Sequence, residues 1–277
     1  MSLRIATNSQ SLAAQRFLAG NTSIQNRSLE RLSSGSRINR AGDDAAGLAI
    51  SEKLRSSIRS MKQATRNAND GVGLVQTAEG AMNEISNILV RLRELSIQSA
   101  SDTIGATERG FVDKEVQNLK QEIDRISANT EFNGIKLLNG TNADLEIQVG
   151  LYNDPQNDRF YFRTNENMTT VGQLGLDDVS TMTRDAAQQN IGKLDVAITR
   201  LNENRSNLGA LQNRLFSSIN NMNIYRENLE AANSRIRDTD MAEETSELTK
   251  ANILAQAGVS VLGQANANPQ MALKLLG

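Results

Sequence analysis

The sequence predicts a mainly α protein: a long antiparallel helical coiled-coil bundle with a small β-hairpin region in mid-chain. Three observations point to it. Leu194, Leu201, Leu208, Leu215, Met222, Leu229 and Ile236 recur every seven residues, a repeat that winds a helix around a partner in a left-handed supercoil. A second seam runs through residues 44–100 at alternating steps of three and four. Between these segments lies the only strand-like stretch, where Leu145, Ile147, Val149 and Leu151 alternate with polar residues.

The elements follow in order. Leu3 to Leu32 reads as a first helix, weakly amphipathic and rich in Ser, Gln, Asn and Ala. Ser33-Ser34-Gly35 stops it, because glycine readily takes the left-handed conformation that ends helices. Asp44 starts the next helix, its carboxylate placed to accept the free N–H groups of the first turn. That helix runs to about Ala100. Its seam is Ile58, Met61, Thr65, Ala68, Val72, Val75, then Met82, Ile85, Leu89 and Leu92, interrupted at Glu79. At ~1.5 Å per residue it would be roughly 85 Å long, so only long partners can bury it.

Ser101–Gly110 reads as a breaker loop, and Phe111 to about Ser127 as another helix, with Val112, Val116, Leu119, Ile123 and Ile126 on one face. Asn133-Gly134 and Asn139-Gly140 mark turns. The strand-like stretch is followed, across Asn153–Asp158, by Phe160-Tyr161-Phe162, a hairpin with a longer loop than the tight two-residue kind. Irregular structure is expected over Thr169–Asp178. In the last long helix Ile191, Ile198 and Ile219 fill part of a second seam, which Arg205, Gln212 and Arg226 interrupt. It ends at Arg235–Asp238. Asp240 caps the final helix, with Glu243 placed to complete a capping box. A break or kink is expected at Asn268-Pro269.

Composition removes most chemistry. The chain of 277 residues has no Cys, His or Trp, and 3% aromatics. It therefore has no thiolate nucleophile, no imidazole base and no Cys/His metal site. We expect no enzyme, no catalytic residue, no cofactor and no metal. Gly71-Val-Gly73 begins a dinucleotide-like pattern, but Gln76 stands where the third glycine belongs. Gly192-Lys193 lacks the P-loop partners, with Ala187 and Leu194 at the flanking positions. Asp238, Asp240, Glu243 and Glu244 could hold a hard cation, but helix capping accounts for them better.

The formal net charge is −2, unevenly placed: residues 1–66 carry 11 Lys/Arg against 4 Asp/Glu, and the rest 19 against 28. The basic charges are dispersed along helices, with only Phe17 among them, which suits pairing between protein segments rather than nucleic acid. No apolar run is long enough to span a membrane, and Met1–Gly20 lacks the apolar core of a cleaved signal peptide. Residues Ile5–Gln15 and Ala251–Leu273 contain no charge, yet are too polar for lipid. They read as helices buried against other protein.

Two segments also carry a resemblance. Leu-Glu-Arg-Leu-Ser-Ser-Gly-Ser-Arg-Ile-Asn-Arg-Ala-Gly-Asp-Asp-Ala-Ala-Gly-Leu-Ala-Ile-Ser-Glu-Lys-Leu-Arg at 29–55 closely resembles the N-terminal signature of bacterial flagellin. Gln-Ala-Gly-Val-Ser-Val-Leu-Gly-Gln-Ala-Asn-Ala-Asn-Pro-Gln-Met-Ala-Leu-Lys-Leu-Leu-Gly at 256–277 resembles the flagellin C-terminus. The resemblance covers roughly residues 1–140 and 183–277, and the short middle looks like that of a minimal flagellin lacking large outer domains.

The resemblance implies a structural subunit that self-assembles into the extracellular flagellar filament for motility. Residues 1–42 and 239–277 would be the two parts of an inner-tube domain, and 43–238 the helical bundle domain, with the β-hairpin region at about 140–180. The chain's partners would be other copies of itself, the flagellar export machinery, a flagellin chaperone, and the filament cap and hook–filament junction proteins. Export would need no cleaved signal. The segment at 91–100 is similar to that read by host Toll-like receptor 5. Arg91, Leu95 and Gln98 match, as does Glu115 on the neighbouring helix, while Val90 departs from the common Gln. Leu273, Leu275 and Leu276 resemble leucines detected by intracellular sensors, although Gly277 replaces the common final Arg. Two other readings share some features: a hook–filament junction protein, which has similar ends, and a cytoplasmic coiled-coil signalling rod.

Overall fold

The structure, a computed structural model, describes residues 7–274, with side chains as far as Ala267. Among these residues the helices are α1 (Ser9–Ser34), α2 (Ala45–Ser99), α3 (Ala106–Asn129), the short α4 (Val171–Leu174), α5 (Arg184–Arg237) and α6 (Met241–Lys274). Strands β1 (Glu131–Phe132) and β2 (Ile135–Lys136) form one antiparallel pair, and β3 (Leu145–Gln148) and β4 (Arg159–Phe162) another. The fold is mainly α, as the sequence predicts. The described residues up to Ile58 and from Asn228 form one compact unit, and Arg59–Glu227 form a second.

In the first unit, the expected helix start at Leu3 lies outside the described residues. α1 begins at Ser9, where Asn8 Oδ1 accepts the Ser11 N–H at 3.1 Å. It ends at Gly35, whose φ of 66° is the left-handed cap that the sequence announces. An antiparallel bridge then ties Ser36 to Asp238, and Arg37 N donates to Arg237 O. Ile38 is buried beside this junction. Asp44 Oδ1 accepts Gly47 N at 2.8 Å and starts α2. At the other end, Asp240 Oδ1 accepts the N–H groups of Ala242 and Glu243, so this carboxylate is a helix cap.

α1 and α6 run antiparallel and close, with Cα atoms within 8 Å of each other. Small residues permit this: Ser11, Ala14 and Ser28 are the buried positions of α1, and Ala251 and Ala265 are buried in α6. The break expected at Pro269 does not occur. α6 continues to Lys274. Proline offers no N–H to the carbonyl four residues back, Ala265, but Asn8 Nδ2 donates to that carbonyl at 2.8 Å.

The second unit is built on long apolar seams. Met61, Ala68, Val72, Val75, Met82, Ile85, Leu89 and Leu92 of α2 are buried. The seam is not interrupted at Glu79. Ala78, fully buried, carries it from Val75 to Met82 in steps of three and four. Ala64 likewise takes the buried position in place of Thr65. All of these but Met61 meet Val116 and Ile123 of α3 and Leu194, Leu201, Leu208 and Leu215 of α5 in one core. Four helical glycines of this unit, Gly80 in α2, Gly110 in α3, and Gly192 and Gly209 in α5, face open space.

α3 begins at Ala106, earlier than expected. Gly105 supplies the N-cap backbone, and the loop is only the few residues before it. Asn133 and Gly134, with φ of 52° and 79°, form a two-residue turn that closes β1 on β2. The longer hairpin pairs Leu145 with Phe162 and Ile147 with Phe160. Ile147, Val149 and Phe162 enter the core. Gly71 makes room for this hairpin: a Cβ there would lie 2.8 Å from Ile147 Cδ1. The incomplete glycine motif at 71–73 is thus a docking point for a strand.

The stretch after the hairpin is less irregular than expected. α4 is capped by Thr170, and Val171, Leu174, Leu176 and Val179 are buried. Polar side chains of α3 fasten it. Asp124 Oδ1 accepts Val171 N at 2.9 Å, Asp113 Oδ1 accepts Thr181 N at 2.7 Å, and Lys120 Nζ donates to Asp177 O at 2.7 Å.

Candidate assembly surface

The outer faces of α1 and α6 carry apolar side chains that the pair itself does not cover. Phe17 is 74% exposed, Ile253 61% and Val259 58%, with Leu12 and Val261 also more than half exposed. Phe17 and Val261 line one shallow groove with Ala13, Ala14 and Ala265, so both helices contribute to it. Full burial of a side chain of this size stabilises by about 1.5–3 kcal/mol, and these side chains, more than half exposed, forgo a large part of it. Such a face is stable in water only at a cost, and it is suited to contact with more protein.

The residues of the heptad seam divide by unit. Leu194, Leu201, Leu208, Leu215 and Met222 are buried, whereas Leu229 and Ile236, in the other unit, are half-buried. The four residues likened to a receptor-recognised face also divide. Arg91 Nη2 donates to Glu115 Oε1 at 2.9 Å, linking α2 to α3, and Nη1 donates to Glu94 Oε2 at 3.1 Å. These carboxylates, Glu115 first, raise the Arg91 pKa above its ordinary value. Gln98 is exposed on the same helix. Leu95 is 2% exposed and lies in the core, so it cannot form part of an exposed face. It sits three residues beyond Leu92, continuing the α2 seam, and helical periodicity turns it inward. Leu273 lies beyond the described side chains, and Leu275 and Leu276 lie outside the described residues.

Sequence reasoning missed an exposed apolar set near these residues. Val90 and Ile97, seven residues apart and off the buried seam, are each about half exposed, and Phe111 on α3 is 64% exposed. The signal was present in their spacing: apolar residues at helical period but out of phase with the core. Arg93 Nε bonds Asp195 Oδ1 at 2.7 Å, tying α2 to α5.

The arrangement offers surfaces rather than a reaction centre. Among the described residues, no three acidic, His or Cys side chains gather into a metal-sized cluster. Nor is any helix long and apolar enough to cross a membrane. Groups with displaced pKa values are surface ion pairs and turn carboxylates. Asp43, for example, is lowered by the backbone N–H groups of Arg40 and then Asn39.

Comparison with known proteins agrees with this picture. Residues 5–143 match the bacterial flagellin N-terminal helical region, and 191–276 match the bacterial flagellin C-terminal helical region. The chain is 44% identical over 269 residues to a flagellin of Halalkalibacterium halodurans, covering 97% of this chain and 98% of that protein. It is 42% identical over 286 residues to the flagellar filament 33 kDa core protein of Treponema phagedenis, with the same shares covered. The crystal structure of Bacillus cereus flagellin is similar, with a TM-score of 0.51 and 35% identity, covering 57% of this chain and 88% of that one.

Proposed function

Because the chain belongs to the bacterial flagellin family, and is therefore a structural subunit of the extracellular flagellar filament and not an enzyme, we propose that it polymerises through the outer faces of its end helices. Residues 1–42 and 239–277 form the inner tube, and residues 43–238 form the wall around it. The observation that supports this most is the row of exposed apolar side chains on helices that carry little charge: Leu12, Phe17, Ile253, Val259 and Val261. Copies packed side by side remove them from water. Obligate assemblies bury roughly 2,000 Å² or more in this way.

Export through the flagellum's own channel, without a cleaved signal and with the help of a flagellin chaperone, accords with a chain that has no cysteine. The growing polymer meets hook–filament junction proteins at its base and a cap at its tip. Host Toll-like receptor 5 reads the face of Arg91, Gln98 and Glu115. The comparisons favour neither a hook–filament junction protein nor a signalling rod.

Electron microscopy of the full chain after salting-out tests the proposal. Long hollow filaments are the expected result, and discrete rods or dimers would overturn it. Removing residues 1–42 and 239–277 together is expected to leave a folded protein that no longer polymerises. Hydrogen exchange in α1 and α6 is expected to slow on polymerisation, with little change at the buried seam of α5.

A further inference from the structure

The seam between α1 and α6 is made of small residues, and small residues specify alignment poorly. Leu18 meets Gly258, and a Cβ added to Gly258 would lie in ordinary contact 3.5 Å from Leu18 Cδ1. If α6 slipped by seven residues, Leu18 would lie level with Ala251 or Ala265, and an alanine fits there as well. Apolar packing therefore discriminates weakly between the native alignment and its neighbours.

Polar contacts do discriminate. Asn8 Nδ2 donates to Ala265 O at 2.8 Å, Ser11 Oγ to Asn266 Oδ1 at 2.8 Å, Gln25 Nε2 to Asn252 Oδ1 at 2.7 Å, and Arg31 Nη1 to Glu244 Oε2 at 3.4 Å. They are spread along the whole pair, and one alignment satisfies all of them. Glu244 is 8% exposed, so its partner matters. A slip of seven residues one way would set Gln25 level with Val259 and Arg31 level with Ala251, leaving both without these partners.

We propose that these four side-chain contacts, rather than apolar packing, fix which turn of α1 lies against which turn of α6. A polar residue in a helical seam commonly sets register at some expense of stability, because each wrong alignment strands a partly buried donor or acceptor. Here the device is spread from one end of the pair to the other, and all four donors sit on α1 or at its N-cap. This assignment holds whether or not the subunit polymerises.

Engineered cysteines test it cleanly, since the chain has none of its own. Leu18 Cβ lies 4.0 Å from the position of a Cβ on residue 258, within the range a disulfide spans. Leu18→Cys with Gly258→Cys reports the native alignment. Leu18→Cys with Ala251→Cys, or with Ala265→Cys, reports a slip of seven in either direction. All three pairs are oxidised in the full chain, as monomer and as any polymer it forms. The native background is expected to cross-link only at 18–258. Removing the four donors with Asn8→Ala, Ser11→Ala, Gln25→Leu and Arg31→Met should raise the slipped products relative to the native one by about tenfold.

Exchanging one pair, Gln25→Asn with Asn252→Gln, keeps a bond at that level and should keep the native product alone. The proposal is overturned if the four-fold variant still cross-links only at 18–258. It is equally overturned if the exchanged pair slips as much as the four-fold variant. Loss of every cross-link together with helical content in the four-fold variant would mean that the contacts hold the pair together without choosing its alignment, which also defeats it.

Discussion

Asn8 holds the carbonyl of Ala265 at 2.8 Å with its Nδ2, while its Oδ1 accepts the N–H of Ser11 at 3.1 Å. One side chain thus serves two helices in opposite senses. It accepts at the start of α1, where N–H groups have no helical partner. It donates near the end of α6, to the carbonyl that Pro269 leaves bare. The amide can do both because its oxygen accepts while its nitrogen donates.

The two halves of that role are separable. Asn8→Ala loses the cap, about 1 kcal/mol, and also the bond to Ala265, about 1 kcal/mol more. Asn8→Asp keeps an acceptor for Ser11 but cannot donate to the carbonyl, so its cost is expected to fall between that of Asn8→Ala and none. Amide exchange near Ser11 should accelerate in the alanine variant only, and helix exchange beyond Ala265 in both. Unchanged exchange beyond Ala265 in both variants would show that the proline is accommodated without Asn8.

Leu215 is fully buried in the core of the second unit. Leu215→Asp places a carboxylate there without a partner, at an expected cost of at least about 3 kcal/mol. Circular dichroism should show lost helical content and a lower melting temperature, and filaments should be absent. A variant with native helicity and filaments would contradict the burial of this seam.

Glu52 is tied to Arg237 at 2.6 Å, and this hydrogen bond, before any other cause, lowers its pKa from the ordinary 4.5. The sign follows from linkage. The unfolded chain binds the proton more readily than the folded one, so the contribution is fully present above pH 4.5 and is lost as the pH falls through the lowered native value. The pair is half-exposed and screened by salt, so the effect is small. Glu52→Gln should flatten the dependence of melting temperature on pH below 4.5 without altering it near neutrality. Parallel curves for the two proteins would show that the pair contributes nothing.

Arg91 and Leu95 should behave as opposites. Arg91→Ala removes two exposed ion pairs and should leave stability nearly unchanged, while lowering activation of Toll-like receptor 5 reporter cells by about tenfold, a modest interface contact. Leu95→Ala opens a core cavity and should cost about 2–5 kcal/mol. Silent wild-type monomer in the reporter assay would defeat the receptor proposal, and the exposed Val90 would be the first place to look.

The helices were legible because their signals are redundant. Asp44 and Asp240 announce their caps by residue type and position, and the leucines of α5 repeat without a gap across five buried levels from Leu194 to Met222. What stayed hidden depended on residues with two meanings. Ala78 closes the α2 seam, but alanine is equally common on either face of a helix, so Glu79 beside it looked like the seam's interruption. Ser101–Gly110 reads as one loop, yet Gly105 starts a helix and Gly110 lies inside it. Pro269 should break a helix by local rules. The donor that relieves it, Asn8, stands at the opposite end of the chain, beyond any local reading. Leu95 matched a motif by type, and burial decided its role.

Gly80 and Gly209 lie inside long helices with open space where a side chain would be. No packing demand of the subunit explains them. Alanine at such a site would strengthen the helix by about 1 kcal/mol, on the scale of a total stability of only about 5–15 kcal/mol. The chain therefore leaves rigidity unused at positions where it could be added by a single methyl group. Each missing methyl group therefore lowers the cost of unwinding the helix that carries it.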